Sequence, residues 1–209
     1  MAVRSVRSEG TRLAILDAAR ERLLADGFAQ LSTRKVADAA GVPLSQLHYH
    51  FGSKEQLVLA LLEEEDRRRL AGQTDLYAVG EPLWVRYDRA CDVLEEDLAS
   101  GYVRVLQEMI AVGWSVPAVG ERVRALLRGW VGLLTEVARE AEARHGPLGP
   151  FSAEEVGSLV SVAFMGGESM LLLGFREDEW PVRAALRRIG AVIRALEERE
   201  VGDASSTAG

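Results

Sequence analysis

Side chains that can bind nucleic acid are concentrated in one short stretch, residues 44–50 (LSQLHYH). Serine and glutamine can hydrogen-bond the edges of bases, leucine can contact a thymine methyl group, and tyrosine and histidine can bind phosphate oxygens. Pro43 precedes the stretch and suits the first turn of a helix. We therefore expect a helix over residues 44–50 whose outer face reads DNA. The alternative is a plain helical hairpin with a solvated outer face.

The rest of the sequence has few combinations of residues of the types that catalyse reactions or bind metals. His145 is the only histidine outside this stretch, and no Ser/His/Asp, Cys/His or carboxylate pair stands out. His48 and His50 are two residues apart, so one helical face cannot present both to a metal. The single cysteine, Cys91, allows no internal disulfide and fits a reducing cytoplasm. We expect no catalytic residue, no metal and no cofactor, and a helical enzyme that carries a DNA-binding hairpin is the competing class.

The distribution of charge supports a nucleic-acid partner for one end of the chain. The net charge of the 209 residues is −7, which by itself argues against DNA. Residues 1–60, however, carry eight Lys/Arg against six Asp/Glu, whereas the remainder is strongly acidic. A basic end on an acidic body is expected when that end faces phosphate.

The elements that would position these residues are short helices. Helix periodicity predicts a first helix over residues 9–25 with Gly27 as its cap, and a second over 34–40 that begins at Ser32 or Thr33. Gly41 supplies a tight turn before the third helix, and Ser53 caps a fourth that starts at residue 54 and runs to about 70. Two short helices joined by such a turn form a helix-turn-helix.

Residues 11–62 (TRLAILDAARERLLADGFAQLSTRKVADAAGVPLSQLHYHFGSKEQLVLALL) closely resemble the DNA-binding domain of the TetR (tetracycline repressor) family. The resemblance rests on ILxAA at 15–19, the Gly-Phe pair at 27–28, Ala-Gly-Val at 40–42 and HFGSKEQL at 50–57. It implies an all-α fold: an N-terminal helix-turn-helix three-helix unit and a larger C-terminal helical domain for ligand binding and dimerisation. It also implies a homodimer that reads palindromic operator DNA.

The resemblance further implies roles for individual residues. Arg34 would read a guanine, Thr33 would hold a phosphate, and Phe51 would pack in the core. His48 stands where the family usually has tyrosine, so either His48 or Tyr49 makes the phosphate contact. The full DNA-binding set is Thr33, Arg34, Leu44, Ser45, Gln46, His48, Tyr49, His50 and Lys54.

The rest of the chain resembles the family only in its helical layout. We expect helices over about 82–100, 102–112, 117–144, 152–174 and 181–199. The second of these is apolar on all sides and should be buried. Residues 156–167 contain no charge; a membrane span is one explanation, but a face shared with a second subunit, paired with helix 117–145, explains them better.

Large apolar residues in this region are candidates for a ligand pocket, although each alone could simply be core. Glu108 and Glu168 are acids within apolar runs and could anchor a ligand. The full ligand-binding set is Trp84, Tyr87, Cys91, Tyr102, Glu108, Met109, Trp114, Trp130, Phe164, Met165 and Glu168.

The sequence thus predicts a DNA-binding domain over 1–54, a ligand-binding and dimerisation domain over 55–200 and a disordered tail over 201–209. The predicted function is a cytoplasmic, sequence-specific transcriptional regulator, a repressor released from its operator by a small hydrophobic ligand. The alternatives are a constitutive DNA-binding regulator without ligand, or an activator. No membrane partner is expected.

Overall fold

The structure is a computed structural model that describes the backbone of residues 2–72 and 80–206 and the side chains of residues 8–69 and 80–198. Within these residues it contains nine helices and no strand, which confirms the all-α prediction. The helices are α1 (Ala2–Gln30), α2 (Thr33–Ala39), α3 (Leu44–Phe51), α4 (Lys54–Gly72), α5 (Leu83–Ser100), α6 (Tyr102–Gly113), α7 (Pro117–His145), α8 (Ala153–Leu172) and α9 (Val182–Ser206).

The first helix is kinked at Gly27, whose φ of 73° lies in the left-handed region. A residue with a Cβ is disfavoured at such an angle, so glycine is suited to this position. The straight part of α1 therefore ends where the sequence predicts its cap, although one further turn continues to Gln30.

Two helix starts are set by side chains that accept hydrogen bonds from the backbone. Ser32, and not Thr33, caps α2 by accepting from the Lys35 amide. Ser152 and Glu155 form a complete capping box at α8, as the sequence predicts. The last helix continues to Ser206, past its expected end at residue 199 and into the segment predicted to be a disordered tail; residues 207–209 lie outside the described part.

The chain divides into two compact units that do not follow the expected boundary after residue 54. Unit 1 comprises residues 1–73 and 101–124, and unit 2 comprises residues 74–100 and 125–209. In unit 1, α6 packs against α1 and α4. Met109 and Val105 of α6 are fully buried, which confirms that this apolar helix is a core helix. The assignment of functions to residues 1–54 and 55–200 stays a prediction.

Unit 2 is formed by α5, most of α7, α8 and α9, with α9 packed against both α5 and α8. Among the described helices, α8 is long and apolar enough to cross a membrane by length and composition alone. Only 22% of its most apolar window is buried inside the chain. Much of this apolar surface is therefore available to another partner.

Candidate DNA interface and ligand cavity

Helices α2 and α3 form a helix-turn-helix held together by a small apolar core. Val36 and Leu47 are fully buried between the helices and α1, and Gly41 turns the chain with a φ of 65°. The Val42 amide donates to the Ala37 carbonyl over 3.0 Å, which ties the turn to the end of α2. Because its inner face is fixed in this way, α3 presents its other side chains to solvent.

The base-reading candidates lie on this outer face. Ser45 and Gln46 are exposed and Leu44 is 39% exposed. Phe51 is buried on the opposite side, beneath the Arg12 guanidinium at 5.9 Å, as expected for a core residue. The first turn of α3 can therefore offer two hydrogen-bonding side chains and one apolar side chain to a DNA groove.

The start of α2 combines an exposed arginine with the first backbone amides of a helix. Thr33 is the first residue of α2 and is half-buried, whereas Arg34 is exposed. The first amides of a helix have no partner within the helix, and they attract anions. Thr33 therefore stands where a phosphate would bind, and the Arg34 side chain extends into solvent where it could reach a base.

His48 and Tyr49, the two candidates for the phosphate contact, differ in their surroundings. The His48 Nδ1 lies 2.8 Å from the Gly52 carbonyl oxygen, so this imidazole is used at the end of its own helix. The Tyr49 side chain is 83% exposed and stands edge-on to the half-buried His50 ring at 5.3 Å. His48 occupies the family's tyrosine position but serves the end of α3, whereas Tyr49 is open to a ligand.

Lys54 has an internal role that the sequence did not indicate. Its Nζ donates to the Phe28 carbonyl over 2.8 Å and lies 3.9 Å from the centre of the Phe28 ring. Partial burial lowers the pKa of Lys54, and the neighbouring Glu55 carboxylate opposes this shift. The ammonium thus joins the start of α4 to the kink of α1, and the expected DNA contact of this residue stays a prediction.

Glu108 contacts the same kink, and its expected role as a ligand anchor stays a prediction. Its Oε2 accepts from the Phe28 amide at 3.3 Å, and its Oε1 pairs with Arg104 at 2.9 Å. A carboxylate on α6 therefore satisfies an amide that the left-handed Gly27 releases from the helix. Its position in an apolar run reflects this structural contact.

A cavity of about 420 Å³ lies within unit 2. Helices α5, α7, α8 and α9 and the connection between α7 and α8 line it, mostly with apolar side chains. Three of the ligand-binding candidates, Tyr87, Trp130 and Phe164, belong to this lining. The Tyr87 and Phe164 rings meet edge to face, with their centres 5.8 Å apart. The volume suits a small organic molecule.

The remaining ligand-binding candidates lie elsewhere. Tyr102, Glu108, Met109 and Trp114 belong to unit 1, and Trp114 is 82% exposed. Helix α6 packs against α1 and α4, and the part of these four residues in a ligand site stays a prediction.

The unit 2 candidates outside the lining are Trp84, Cys91, Met165 and Glu168. The Arg194 guanidinium lies 4.7 Å from the centre of the Trp84 ring. Burial of Cys91 raises the pKa of its thiol to about 11, so the group stays protonated and unreactive at neutral pH.

Polar residues of the cavity were missed because they come from three different helices. Arg86 pairs with Glu140 at 2.6 Å. Glu197 accepts from the Leu83 and Trp84 amides at 3.0 and 3.1 Å, and the His145 Nε2 lies 3.6 Å from it. No local spacing links these positions, so a sequence pattern could not bring them together.

The Tyr87 hydroxyl and the Arg86 Nε are donor groups of cavity-lining residues that are buried and lack an acceptor among the described residues. Burial raises the pKa of Tyr87 far above that of a free phenol, so the hydroxyl keeps its proton. In the part of the chain that the structure describes, no cluster of His, Cys, Asp or Glu side chains could hold a metal ion.

Comparisons with known proteins agree with the helix-turn-helix. Residues 15–61 match the family model described as bacterial regulatory proteins, tetR family. An uncharacterized HTH-type transcriptional regulator of Haemophilus influenzae is 40% identical over 63 residues, which cover 30% of this chain and 31% of that protein. The alignment thus spans about a third of this curated relative.

Solved structures share the fold over most of the chain. Salmonella enterica GusR is 23% identical, with 88% of this chain and 95% of that chain covered and a TM-score of 0.69. A TetR transcription regulator from Haloarcula marismortui is 19% identical over 88% of this chain and 96% of that chain, with a TM-score of 0.73. A TetR-family regulator from Rhodococcus is 20% identical over 88% and 98%, with a TM-score of 0.72.

Proposed function

Because residues 15–61 match the model of bacterial regulatory proteins, tetR family, we propose that the chain is a regulator of this family. We propose that it is a dimeric transcriptional repressor and that a ligand in the unit 2 cavity controls its binding to operator DNA. DNA binding and transcriptional regulation are the roles of the proteins it matches, which are not enzymes. Repression, ligand release and the residues responsible are the proposed part. A bacterial regulator of this kind acts on DNA in the cytoplasm.

The exposed face of α3 carries the proposal for DNA. Ser45, Gln46 and Tyr49 are open to solvent on a helix whose other side is fixed by Leu47. An uncharged reading face flanked by Arg34 suits a major groove, where arginine pairs with guanine and glutamine with adenine. We propose that these side chains read the bases and that Thr33, Tyr49 and His50 hold the phosphates.

The dimer would form through α8 and α9. The sequence suggested the pair 117–145 and 152–174, but α8 packs against α9, and the exposed apolar side chains lie on these two helices. Val162 on α8 is 68% exposed and Val192 on α9 is 55% exposed, with Leu159, Ile189 and Leu196 on the same two helices. A second copy of the chain would bury these residues in a four-helix contact, which also explains the apolar character of α8 without a membrane.

Capture of genomic DNA by the purified protein tests the DNA half of the proposal. Sheared DNA from the source genome is mixed with tagged protein, washed at increasing salt and sequenced. We expect a few fragments to be enriched, each containing a palindrome with half-sites about one DNA turn apart. The Gln46→Ala variant is the control for the reading face and should recover fragments with a weaker consensus. Equal recovery of all genomic regions by the unmodified protein would contradict sequence-specific binding.

A further inference from the structure

We propose that the ligand of the unit 2 cavity is an uncharged, largely apolar molecule with one oxygen acceptor, which receives the hydrogen bond offered by the Tyr87 hydroxyl. The inference rests on the proposed function, because it assigns chemistry to the same ligand cavity. Three observations carry it: an orphaned donor at the cavity, charges that are already balanced, and walls that are mostly apolar.

The orphaned donor is the Tyr87 hydroxyl. Tyr87 lines the cavity, and its oxygen is buried without a hydrogen-bond partner among the described residues. Its ring is held against Phe164, at 5.8 Å between centres. Leaving a buried hydroxyl unpaired costs free energy, and a ligand oxygen at this place would recover it.

The Arg86 Nε is another orphaned donor. Arg86 lines the cavity, and its Nε is buried without an acceptor in the described part of the chain. An arginine cannot accept a hydrogen bond, and the Tyr87 phenol stays protonated because burial disfavours the phenolate. The ligand must therefore bring an acceptor, such as a ketone, ester or ether oxygen.

The charges that line the cavity are already paired. The Arg86 guanidinium lies 2.6 Å from a Glu140 oxygen. Glu197 accepts from two amides at the start of α5 and lies 3.6 Å from His145. A carboxylate or ammonium ligand would bury an additional charge beside these completed pairs or break one of them, and both outcomes are costly.

The size and remaining walls of the cavity set the rest of the molecule. Its volume of about 420 Å³ lies in the range of pockets that hold drug-sized ligands. The walls include Leu134, Val137 and Val160, together with the Trp130 ring. The part of the ligand away from its acceptor should therefore be a hydrocarbon, either aromatic or branched.

Four probes with one skeleton test this chemistry: biphenyl, 4-acetylbiphenyl, biphenyl-4-carboxylate and biphenyl-4-ylmethylammonium. Their affinities for the full-length protein are measured by equilibrium dialysis without DNA. We expect the ketone to bind about three- to tenfold more tightly than biphenyl, as one net hydrogen bond allows. Both charged probes should bind at least about tenfold more weakly than the ketone. Tightest binding by the carboxylate, or no saturable binding of the ketone, would overturn the proposal.

The Tyr87→Phe variant assigns the effect to one oxygen. It should bind biphenyl as the unmodified protein does and lose the preference for the ketone. Its melting temperature should stay unchanged or rise, because the substitution removes an unpaired buried hydroxyl. Tyr102→Phe is the matched control, since Tyr102 is buried in unit 1 and does not line the cavity. A ketone preference that survives in Tyr87→Phe, or one that Tyr102→Phe also abolishes, would refute the assignment.

The test separates this inference from the proposed function. Dialysis reports only whether the cavity selects a neutral acceptor, and a separate titration with the operator reports whether occupancy alters DNA binding. Selective ketone binding without any change in operator affinity would support the inference about the ligand and contradict the proposal that the ligand controls DNA binding. Release from DNA by charged compounds alone would support ligand control of DNA binding and contradict the inference that the ligand is uncharged.

Discussion

At the scale of single residues, Arg34 is the side chain whose loss should alter specificity most. It is exposed on the first turn of α2, where its guanidinium can reach a base edge. We expect Arg34→Ala to relax the preference for one base pair in each half-site, at a cost of ~1–3 kcal/mol per contact. Affinities for all single-base variants of the operator, measured by fluorescence anisotropy, check this.

Arg34→Lys is the matched control for charge. It keeps the cation but loses the planar fork that pairs with guanine. It should therefore relax the same base pair and leave the salt dependence of binding unchanged. A specificity profile of Arg34→Ala that is identical to that of the unmodified protein would exclude a base contact.

Lys54 should contribute to stability as well as to DNA binding. Its ammonium donates to the Phe28 carbonyl and lies above the Phe28 ring. We expect Lys54→Ala to lower the free energy of unfolding by ~1–2 kcal/mol, from the lost cation–π contact and hydrogen bond. Urea denaturation at one fixed protein concentration measures this.

Lys35→Ala is the control for Lys54, since the Lys35 side chain is 50% exposed. Its effect on unfolding should stay within about 0.5 kcal/mol, as is usual at the surface. If Lys54→Ala leaves stability unchanged and weakens binding to every DNA sequence alike, then phosphate contact is its main role and the internal one is minor.

The sequence could place the exposed and buried residues of α3 but not the internal contacts of Lys54 and Glu108. The fixed spacing of the helix-turn-helix put Ser45 and Gln46 on the outside and Phe51 inside, because helical periodicity determines which face is buried. The contacts of Lys54 with Phe28 and of Glu108 with the Phe28 amide join residues 26 and 80 positions apart. Such contacts depend on packing between helices, and no periodic pattern in the sequence indicates them.

At the scale of helices, the crossing of α7 and α8 depends on Gly157. A Cβ at this position would lie 2.7 Å from the Thr135 Oγ1 and 2.8 Å from the Thr135 amide nitrogen. One of these atoms belongs to the backbone, so the helices would have to separate. We expect Gly157→Ala to lower the free energy of unfolding by ~1–3 kcal/mol through overpacking, measured by urea denaturation.

Gly132→Ala on α7 is the matched control. A Cβ there meets nothing within 4 Å, and the residue is exposed. Alanine has a higher helix propensity than glycine, so this variant should gain up to about 1 kcal/mol. An equal loss of unfolding free energy in both variants would mean that the close contact of Gly157 with Thr135 does not determine how α7 and α8 cross.

Helix positions followed from sequence because caps and breakers act locally. The capping box of Ser152 and Glu155 and the kink at Gly27 both occur where the residue types require them. The candidates on α6 could not be assigned in this way, and their role in a ligand site stays a prediction. A helix that is apolar on all sides has the same sequence pattern whether it lines a cavity or forms part of a core. Only its packing distinguishes these cases, and α6 packs against α1 and α4.

At the scale of the whole molecule, the exposed apolar face of α8 and α9 should make the protein a dimer. Val162 is 68% exposed, so Val162→Glu should leave the fold of the subunit intact while placing a charge in the proposed contact. We expect sedimentation velocity at micromolar concentration to show a dimer for the unmodified protein and a monomer for this variant. Operator affinity should fall with it, because one reading helix specifies too few base pairs.

Ala143→Glu on the exposed side of α7 is the control for added charge and should remain dimeric. A monomeric unmodified protein, or a Val162→Glu variant that is still dimeric, would place the contact elsewhere or remove it.

Control of DNA binding by the cavity is the central claim, and thermodynamic linkage sets its size. A ligand weakens operator binding only to the extent that it prefers the state that does not bind DNA. The most direct measurement is operator affinity with and without a saturating concentration of a compound that binds the cavity, in the unmodified protein and in Val137→Phe. Val137 lines the cavity, so the larger side chain should exclude the compound and leave ligand-free DNA binding intact. We predict a loss of affinity of about 5- to 150-fold in the unmodified protein and none in the variant. Equal operator affinity of the unmodified protein with and without the bound compound would contradict the claim and leave a constitutive DNA-binding regulator.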